Sequence, residues 1–486
     1  MNAADKYDVI VLGSGTGGKL MARTMAREGM RTAVVERRYI GGSCVNIACL
    51  PSKNVIHTAK VASLVRRHQE FGIQTGPTAV NMSGVYARKR KMVDEIVQVH
   101  LDRYEAAGDE LILGDGRFVG PRTLQVVLRE GGERTISADR VFVNVGTRAT
   151  IPAIPGLREA KPMTHVEVLD LDRLPEHLVV LGGGYVGLEL AQAMHRLGSR
   201  VTLIERGARL ASPEDPEFSQ AILQLFVDEG IEVLLNSQLL NVKGLSGDTV
   251  TLQLNGDGGA RTVEGTDILV AVGRTPNTQG IGLEKAGIEL TEKGHIRVND
   301  RLETSAPNVW ALGECAGSPY FTHVSEDDFN IVHANLNGGH RSTRNRLVPY
   351  CVFIDPELAR VGLNESQARE RGIAYRVATV PVDSGWRPWT LSERRGFMKT
   401  LIDLYSNRIL GFTAFGPEAG ELMGTVQLAM LAEQPYTILR DAAFAHPTMT
   451  EGLKALFREV SERAVNQEHK LEPAAQRTLT ALGRAE

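Results

Sequence analysis

Asp8-Val9-Ile10-Val11-Leu12-Gly13-Ser14-Gly15-Thr16-Gly17-Gly18 sets a pattern that Leu178-Val179-Val180-Leu181-Gly182-Gly183-Gly184-Tyr185-Val186-Gly187 repeats. Each stretch is a short apolar run of buried-strand length that breaks on a glycine-rich turn. A helical segment follows, to about Arg27 in the first copy and about Leu197 in the second. A second apolar run closes each copy, Arg31-Thr32-Ala33-Val34-Val35 before Glu36 and Val201-Thr202-Leu203-Ile204 before Glu205. Both acids stand 23 positions after the first glycine of their turn.

Strand, turn, helix and strand with an acid at the end is the context in which a glycine fingerprint binds a dinucleotide. Gly13 and Gly182 permit the tight turn. Gly15 and Gly184 let a pyrophosphate approach the backbone at a helix start, where N–H groups and the helix dipole favour anions. Gly18 and Gly187 let the helix lie close on the strand, and Glu36 and Glu205 are placed to accept hydrogen bonds from a ribose diol. One match alone is a weak signal; two in context at equal spacing make dinucleotide binding the reading. A second nicotinamide site would do little, so the two are read as one FAD and one NAD(P)H. A carboxylate at 205 suits the free 2′-hydroxyl of NADH, while Arg206 is placed to pair with the 2′-phosphate of NADPH; NADH is favoured.

The bulk properties fit an ordinary globular enzyme. A chain of 486 residues calls for about two to four domains. With 42% apolar and 23% charged residues and a net charge of −3, nothing points to a nucleic-acid or membrane surface. No apolar run is long enough to span a bilayer, and Met1-Asn2-Ala3-Ala4-Asp5-Lys6 lacks a signal-peptide core. A cytoplasmic protein is expected.

The second copy reads as an insertion into the first. Ile136–Arg148 looks like a strand leaving the first domain before Pro152 and Pro155, and Asp267–Asn277 is a parallel passage. Gly146 is assigned to the FAD site and Gly273 to the NAD(P) site. The expected fold is α/β: two Rossmann-like, doubly wound domains and an α+β C-terminal domain. The expected order is an FAD-binding part (1–152), an inserted NAD(P)-binding domain (153–274), a return to the FAD domain (275–347), the C-terminal domain (348–465) and a mobile tail (466–486). In the C-terminal domain, Tyr375–Val380 and Phe397–Ile402 read as antiparallel strands with one wet face, and helices are expected over about 418–433 and 449–464. Plain packing is the favoured reading of Trp386 and Trp389 over a substrate or partner surface.

Four cysteines are too few for a disulfide scaffold, yet Cys44 and Cys49 stand five apart. A disulfide needs Cα atoms about 4.4–6.8 Å apart. Residues five apart in a regular helix are roughly 8.7 Å apart. The two can bridge only if the helix is distorted or begins within the pair. A helix running on from Pro51, Ser52 to about Arg67, would place both sulfurs near its N-terminal end, where a thiolate is favoured. Spacing alone leaves open a redox pair or two buried, unbonded cysteines. A metal site is a poor third reading, because no further ligands lie nearby.

Gly41-Gly42-Ser43-Cys44-Val45-Asn46-Ile47-Ala48-Cys49-Leu50-Pro51-Ser52-Lys53 resembles the signature of the pyridine nucleotide–disulfide oxidoreductases. Gly184–Glu189, Gly273–Asn277, Leu312–Gly317 and His446–Glu451 are similar to further motifs of that family, in its order, over roughly residues 6–462. The resemblance implies a glutathione-reductase-like homodimer, with the C-terminal domain (348–465) as its interface or dimerisation domain. It implies Cys49 as the flavin-side sulfur that holds a thiolate, and Cys44 as the interchange sulfur that attacks substrate. Lys53 and Glu189 would form an ion pair near the flavin, Tyr185 would gate the nicotinamide pocket, and Glu314 would reach the ribityl chain. His446 would act as general base, oriented by Glu451 and donated across the dimer. Two departures stand out: Ala48 where the family usually has Gly, and Glu314 where it usually has Asp. Cys315 and Cys351 are read as structural.

Within the family, the texture is similar to mercuric-reductase-like proteins and to the copper-reducing, hypochlorite-response flavoproteins. No cysteine follows Cys351, and His446 is present, which departs from the mercuric reductase pattern. The expected function is transfer of electrons from NAD(P)H through FAD and Cys44–Cys49 to a disulfide, dithiol or metal-ion substrate. A dihydrolipoyl dehydrogenase is the alternative enzyme, and a redox-sensing flavoprotein without turnover is the alternative of another class. No resident metal is expected.

Overall fold

Thr32–Glu36 and His177–Leu181 are buried at every position, as apolar runs inside parallel sheets covered on both faces must be. The structure, a computed structural model, describes residues 4–460; the tail expected over 466–486 lies outside the described residues. The chain divides into two compact units. One comprises the chain up to Arg206 together with Asn236–Arg346; the other comprises Gly207–Leu235 with the chain from Leu347 onward.

In the first unit, β1 (Asp5–Leu12) lies between β2 (Thr32–Glu36) and β5 (Glu133–Val143), parallel to both. Val11 sits opposite Val34 on one side and Phe142 on the other. The chain returns to this sheet much later, when Val309–Ala311 pairs in parallel with Val141–Val143. β3 (Glu110–Gly120) and β4 (Thr123–Leu128) form an antiparallel extension between β2 and β5. Alternation divides β1 between two cores: Ile10 and Leu12 pack with Phe118, Leu124 and Val141, while Val9 and Val11 pack with Met21, Phe142 and Trp310. Each such fully buried side chain contributes about 1.5–3 kcal/mol.

The second fingerprint rebuilds the same arrangement. His177–Leu181 runs between Arg200–Ile204 and Asp267–Val270, parallel to both. The helices after the two turns, α1 (Thr16–Arg27) and Tyr185–Leu197, end where the sequence pattern placed them. Steric contacts explain the glycines. A Cβ on Gly18 would lie 2.3 Å from the Gly13 carbonyl oxygen, and one on Gly187 would lie 2.0 Å from that of Gly182. In both copies the third glycine permits the helix to press on the first turn.

The second unit holds a five-stranded antiparallel sheet whose middle strands are Ile409–Gly416 and Phe397–Asp403. The expectation of one wet face fails here, because five of the seven residues of Phe397–Asp403 are buried in succession. The reason is packing on both sides. Helix Ala419–Leu431 and helix Gly452–Arg458 supply apolar residues to one core with Met398, Ile402 and Phe412. The opposite face meets helix Pro216–Glu229, whose Phe218 stacks on Phe397 with ring centroids 4.3 Å apart. The terminal helix is shorter than the span expected over 449–464, whose last four residues lie outside the described ones. Trp386 and Trp389 are not packed away: they are 61% and 48% exposed, and Arg394 covers one face of Trp389.

Candidate active site

The two dinucleotide turns carry the acids expected of them. Glu36 ends β2 with its carboxylate turned back on the first turn, where it accepts from the Ser14 N–H at 2.8 Å and the Ser14 hydroxyl at 2.7 Å. Its other oxygen accepts from the Arg38 and Tyr39 N–H groups. Glu205 accepts from the Gly183 N–H at 2.7 Å, and Arg206 beside it is exposed. Both turns fit a diphosphate. Gly15 and Gly184 are the N-caps of their helices, neither caps through a side chain of its own, and neither helix has an acid in its first turn. The helix dipoles therefore favour an anion at both turns without opposition from an acid of the same helix. Gly184, Gly146 and Gly273 border open space, since a Cβ on any of them would meet nothing within 4 Å.

The cysteine segment folds down on the first turn. Gly41 and Gly42 both have φ near +85°, and a Cβ on Gly42 would come within 2.6 Å of Gly15 Cα. The Gly41 N–H donates to Ser14 Oγ at 3.0 Å, so one serine ties together the fingerprint, Glu36 and the cysteine loop. After a single turn, α2 (Ser43–Asn46), the chain breaks at Ile47 and Ala48 and restarts as α3 (Cys49–Arg66). The helix thus begins within the pair, three residues earlier than expected from Pro51, because proline is tolerated inside a first turn. Ala48, where the family usually has glycine, is the N-cap of α3 with φ −134° and ψ −105°.

Both cysteines stand as free thiols, half-buried, with a hydrogen bond between the sulfurs. Their charges are unequal. The hydrogen bond from Cys44 brings Cys49 down to about 6 despite burial, and Thr322 and Lys53 act in the same direction. The same hydrogen bond, with burial, pushes the Cys44 thiol well above its ordinary range. Cys49 is also the first residue of an 18-residue helix, whose dipole favours a thiolate.

Lys53 lies one helical turn beyond Cys49 and donates to Glu189 Oε2 at 2.8 Å. Tyr185 is half-buried at the first position of the helix that carries Glu189. Glu314, one methylene longer than the family's aspartate, bonds Thr147 and accepts from Arg274 Nε at 3.2 Å. In the second unit, His446 Nδ1 lies 2.9 and 3.1 Å from the two Glu451 oxygens. Cys315 is fully buried, which raises its thiol to about 11, in keeping with a structural role; Cys351 is half-buried.

Several contacts escaped the sequence. The Thr322 hydroxyl lies 3.3 Å from Cys49 Sγ, across 273 positions of the chain. Asn144 clips the first fingerprint, accepting from the Gly18 N–H at 3.1 Å and donating to the Leu312 carbonyl at 2.7 Å. Lys19 and His100 lie behind the cysteine loop, with Lys19 Nζ 3.2 Å from the Gly41 oxygen. The motif glycines beside Lys19 could have flagged it; nothing local marks His100.

Comparison with known proteins adds the wider context. Residues 7–328 match the family described as pyridine nucleotide-disulphide oxidoreductase, and residues 348–457 match its dimerisation domain. The chain is 35% identical over 460 residues to the probable pyridine nucleotide-disulfide oxidoreductase RclA of Escherichia coli (strain K12), covering 93% of this chain and 99% of that one. It is also 35% identical over 460 residues to a mercuric reductase of Acidithiobacillus ferrooxidans, covering 93% and 82%. Among solved structures, the Cu(II) complex of the HOCl-induced flavoprotein disulfide reductase RclA from Escherichia coli matches with TM-score 0.85 at 33% identity, covering 94% of this chain and all of that one. LpdA from Mycobacterium tuberculosis matches with TM-score 0.84 at 25% identity, covering 94% and 99%. The α/β, glutathione-reductase-like fold expected from the two fingerprints is borne out.

Proposed function

Because the chain belongs to the pyridine nucleotide-disulphide oxidoreductases, whose members use FAD and NAD(P)H, we propose that it is a reductase that takes electrons from NADH and delivers them through Cys44 and Cys49 to a disulfide or metal-ion acceptor. The observation that carries this reading is a pair of free, half-buried cysteines whose inner member starts an 18-residue helix, with its sulfur 3.3 Å from the Thr322 hydroxyl. Bound FAD would supply the two-electron relay between the nicotinamide and the dithiol. Gly13, Gly15, Gly18, Glu36, Gly146 and Glu314 are the residues we assign to holding it, and Gly182, Gly184, Gly187, Glu205, Arg206 and Gly273 those for the nicotinamide nucleotide. Tyr185 is assigned to gating the nicotinamide pocket.

With a disulfide substrate, His446, oriented by Glu451, takes the Cys44 proton as that sulfur attacks one substrate sulfur; the substrate S–S bond breaks and a mixed disulfide forms. The leaving thiolate takes that proton back from His446. The Cys49 thiolate then attacks Cys44, the mixed disulfide breaks, and the second substrate sulfur leaves as a thiolate that takes a proton from solvent. The substrate gains two electrons, and the cysteine pair ends as a disulfide. Lys53 and Glu189 hold the Cys49 helix against the helix of the second fingerprint throughout. We assign the working form to a cytoplasmic homodimer, with the C-terminal domain at its interface and the domain order 1–152, 153–274, 275–347 and 348–465.

The dihydrolipoyl dehydrogenase reading keeps one observation in its favour, the His446–Glu451 pair, which suits a dithiol that must lose protons. An acceptor screen decides among the readings. NADH or NADPH is supplied with lipoamide, glutathione disulfide, Cu(II), Hg(II), quinones or oxygen, each with wild type and Cys44→Ser. Cu(II) belongs in the screen because RclA was solved as a Cu(II) complex. Cys44-dependent turnover of a disulfide or metal ion supports the proposal. Fast NADH formation from dihydrolipoamide and NAD supports the alternative enzyme, and no Cys44-dependent turnover with any acceptor supports a redox sensor.

A further inference from the structure

Behind the cysteine loop lies a buried group of cations that the chemistry above does not use. Lys19, on α1, is only 8% exposed, and Arg23, one turn on, is 6% exposed. Between them stands His100, from α4 (Met82–Ala107), also 6% exposed, with Nε2 3.3 Å from Lys19 Nζ and Nδ1 3.1 Å from Arg23 Nη2. A Cβ on Gly41 would lie 2.6 Å from His100 Cδ2, so the imidazole is pressed against the loop that leads to Cys44. Lys19 Nζ donates to the Gly41 carbonyl at 3.2 Å, and among the described residues it makes no ion pair with a carboxylate.

This arrangement is unbalanced. A buried cation without a counter-charge is strongly disfavoured, and such groups are retained where something offsets the cost. His100 does not offset it. Arg23 is always protonated and can only donate, so His100 Nδ1 must accept from it and Nε2 must carry the hydrogen. That N–H then faces Lys19, which satisfies the contact only as a neutral amine. As an ammonium it meets a donor. The charge on Lys19 is therefore poised, and it is stabilised when negative charge appears nearby. Three residues beyond its Gly41 partner is Cys44.

We propose that Lys19 is a positioning residue for Cys44: its ammonium group, held by the Gly41 carbonyl, supplies the positive field against which the interchange sulfur ionises. The proposal rests on the reading of Cys44 and Cys49 as the working pair. Burial pulls Lys19 down to about 8, a shift that negative charge on the Cys44 sulfur opposes when that sulfur ionises, and His100 is held down to about 4 by burial and by both cations. The other charges facing Lys19 are Arg23 on its own helix, Arg103 on α4 and Glu326 on helix Thr322–Leu336; the arginines oppose its protonation and Glu326 favours it. The field is thus present at neutral pH and fades as pH rises through about 8.

The test isolates one sulfur. In a Cys49→Ser background, the pH profile of Cys44 alkylation by iodoacetamide is followed by peptide mass spectrometry. Adding Lys19→Met is expected to move the profile upward by about one pH unit, roughly a tenfold lower reactivity at neutral pH. Lys19→Arg, which keeps its charge at every pH, should restore the original profile up to pH 8 and raise reactivity above it. Thermal unfolding and flavin content establish that each variant is folded. A profile unmoved by Lys19→Met, or equally displaced by Met and Arg, overturns the inference. Counting thiols in the wild-type protein before and after reduction by NADH tests the parent reading separately. If no new pair of thiols appears there, that reading fails whatever the Lys19 profile shows.

Discussion

Lys53 Nζ donates to Glu189 Oε2 at 2.8 Å, joining residues 136 positions apart in the chain. The contact ties the helix that begins at Cys49 to the helix that follows the second glycine turn. It is an ion pair with one well-buried partner, the Glu189 side chain being 9% exposed and that of Lys53 32%. Such a pair is weak as a source of net stability, but removing one member leaves the other uncompensated. Glu189→Gln is expected to lower stability by about 1–3 kcal/mol and to slow reduction of the bound flavin by NADH. Urea unfolding and stopped-flow absorbance measure the two effects; no change in either would remove the pair from the working site.

The charge on Cys49 predicts a pH dependence. Its thiol is drawn down to about 6 by the hydrogen bond from Cys44. A lowered acid keeps its anion above that value and loses it as pH falls through it. The two-electron-reduced protein should therefore show long-wavelength thiolate–flavin absorbance at pH 8 that falls by half near pH 6. Cys49→Ser should abolish the band and Cys44→Ser should retain it. A band that survives in Cys49→Ser reverses the assignment of the two sulfurs.

His446 and Glu451 separate the classes of acceptor. His446→Ala is expected to reduce turnover of a disulfide or dithiol about 100-fold, in the range of a lost general acid–base group, while leaving flavin reduction by NADH unchanged. Glu451→Gln keeps a hydrogen-bond acceptor for Nδ1 and should cost less. Reduction of a metal ion by the dithiol needs no such proton delivery, and the same substitution should leave it nearly intact. Steady-state rates with the two kinds of acceptor make the comparison.

The proposed preference for NADH rests on Glu205, whose carboxylate accepts from the Gly183 N–H in the second turn. Glu205→Ala is expected to narrow the preference for NADH over NADPH by about tenfold in kcat/KM, worth about 1.4 kcal/mol. Arg206→Ala should move the ratio the other way by weakening NADPH. A wild-type preference for NADPH would overturn the assignment.

The second unit contains a buried ion cluster with a clear stability signature. Lys399 Nζ lies 3.0 Å from Asp215 Oδ2 and also bonds Glu217 and Glu365, with its own side chain 3% exposed. Burial would raise Asp215 and Glu365, but hydrogen bonds from the Glu365 N–H to Asp215, and from Lys399 and Tyr375 to these acids, outweigh it and hold both below the usual carboxylate range. Depressed acids stabilise the fold above their ordinary values and lose that contribution as pH falls through their lowered ones. Lys399→Met should destabilise the unit by about 3–5 kcal/mol near neutral pH and by much less at acid pH, where the carboxyls are protonated. Calorimetric unfolding at several pH values checks both parts.

Much of this molecule is legible in its sequence because the decisive constraints are local. A turn of Gly13, Gly15 and Gly18 between a buried run and a helix can be recognised without the rest of the chain, and its repetition at Gly182 supplies the second fingerprint. Helix geometry requires a break between Cys44 and Cys49 if the two are to pair, and the structure has a helix start at Cys49. The tertiary structure decided what depends on distant residues. Both faces of Phe397–Asp403 are covered because helix Pro216–Glu229 joins that unit from far upstream, which no local alternation records. Thr322 meets Cys49 across 273 positions, and Lys19 and His100 converge on Gly41 from two helices. Sequence singled out the residues proposed to carry the electrons, since local spacing and motif mark them. Only the fold decided the electrostatic field in which they act, because field depends on burial and on charges brought together through space.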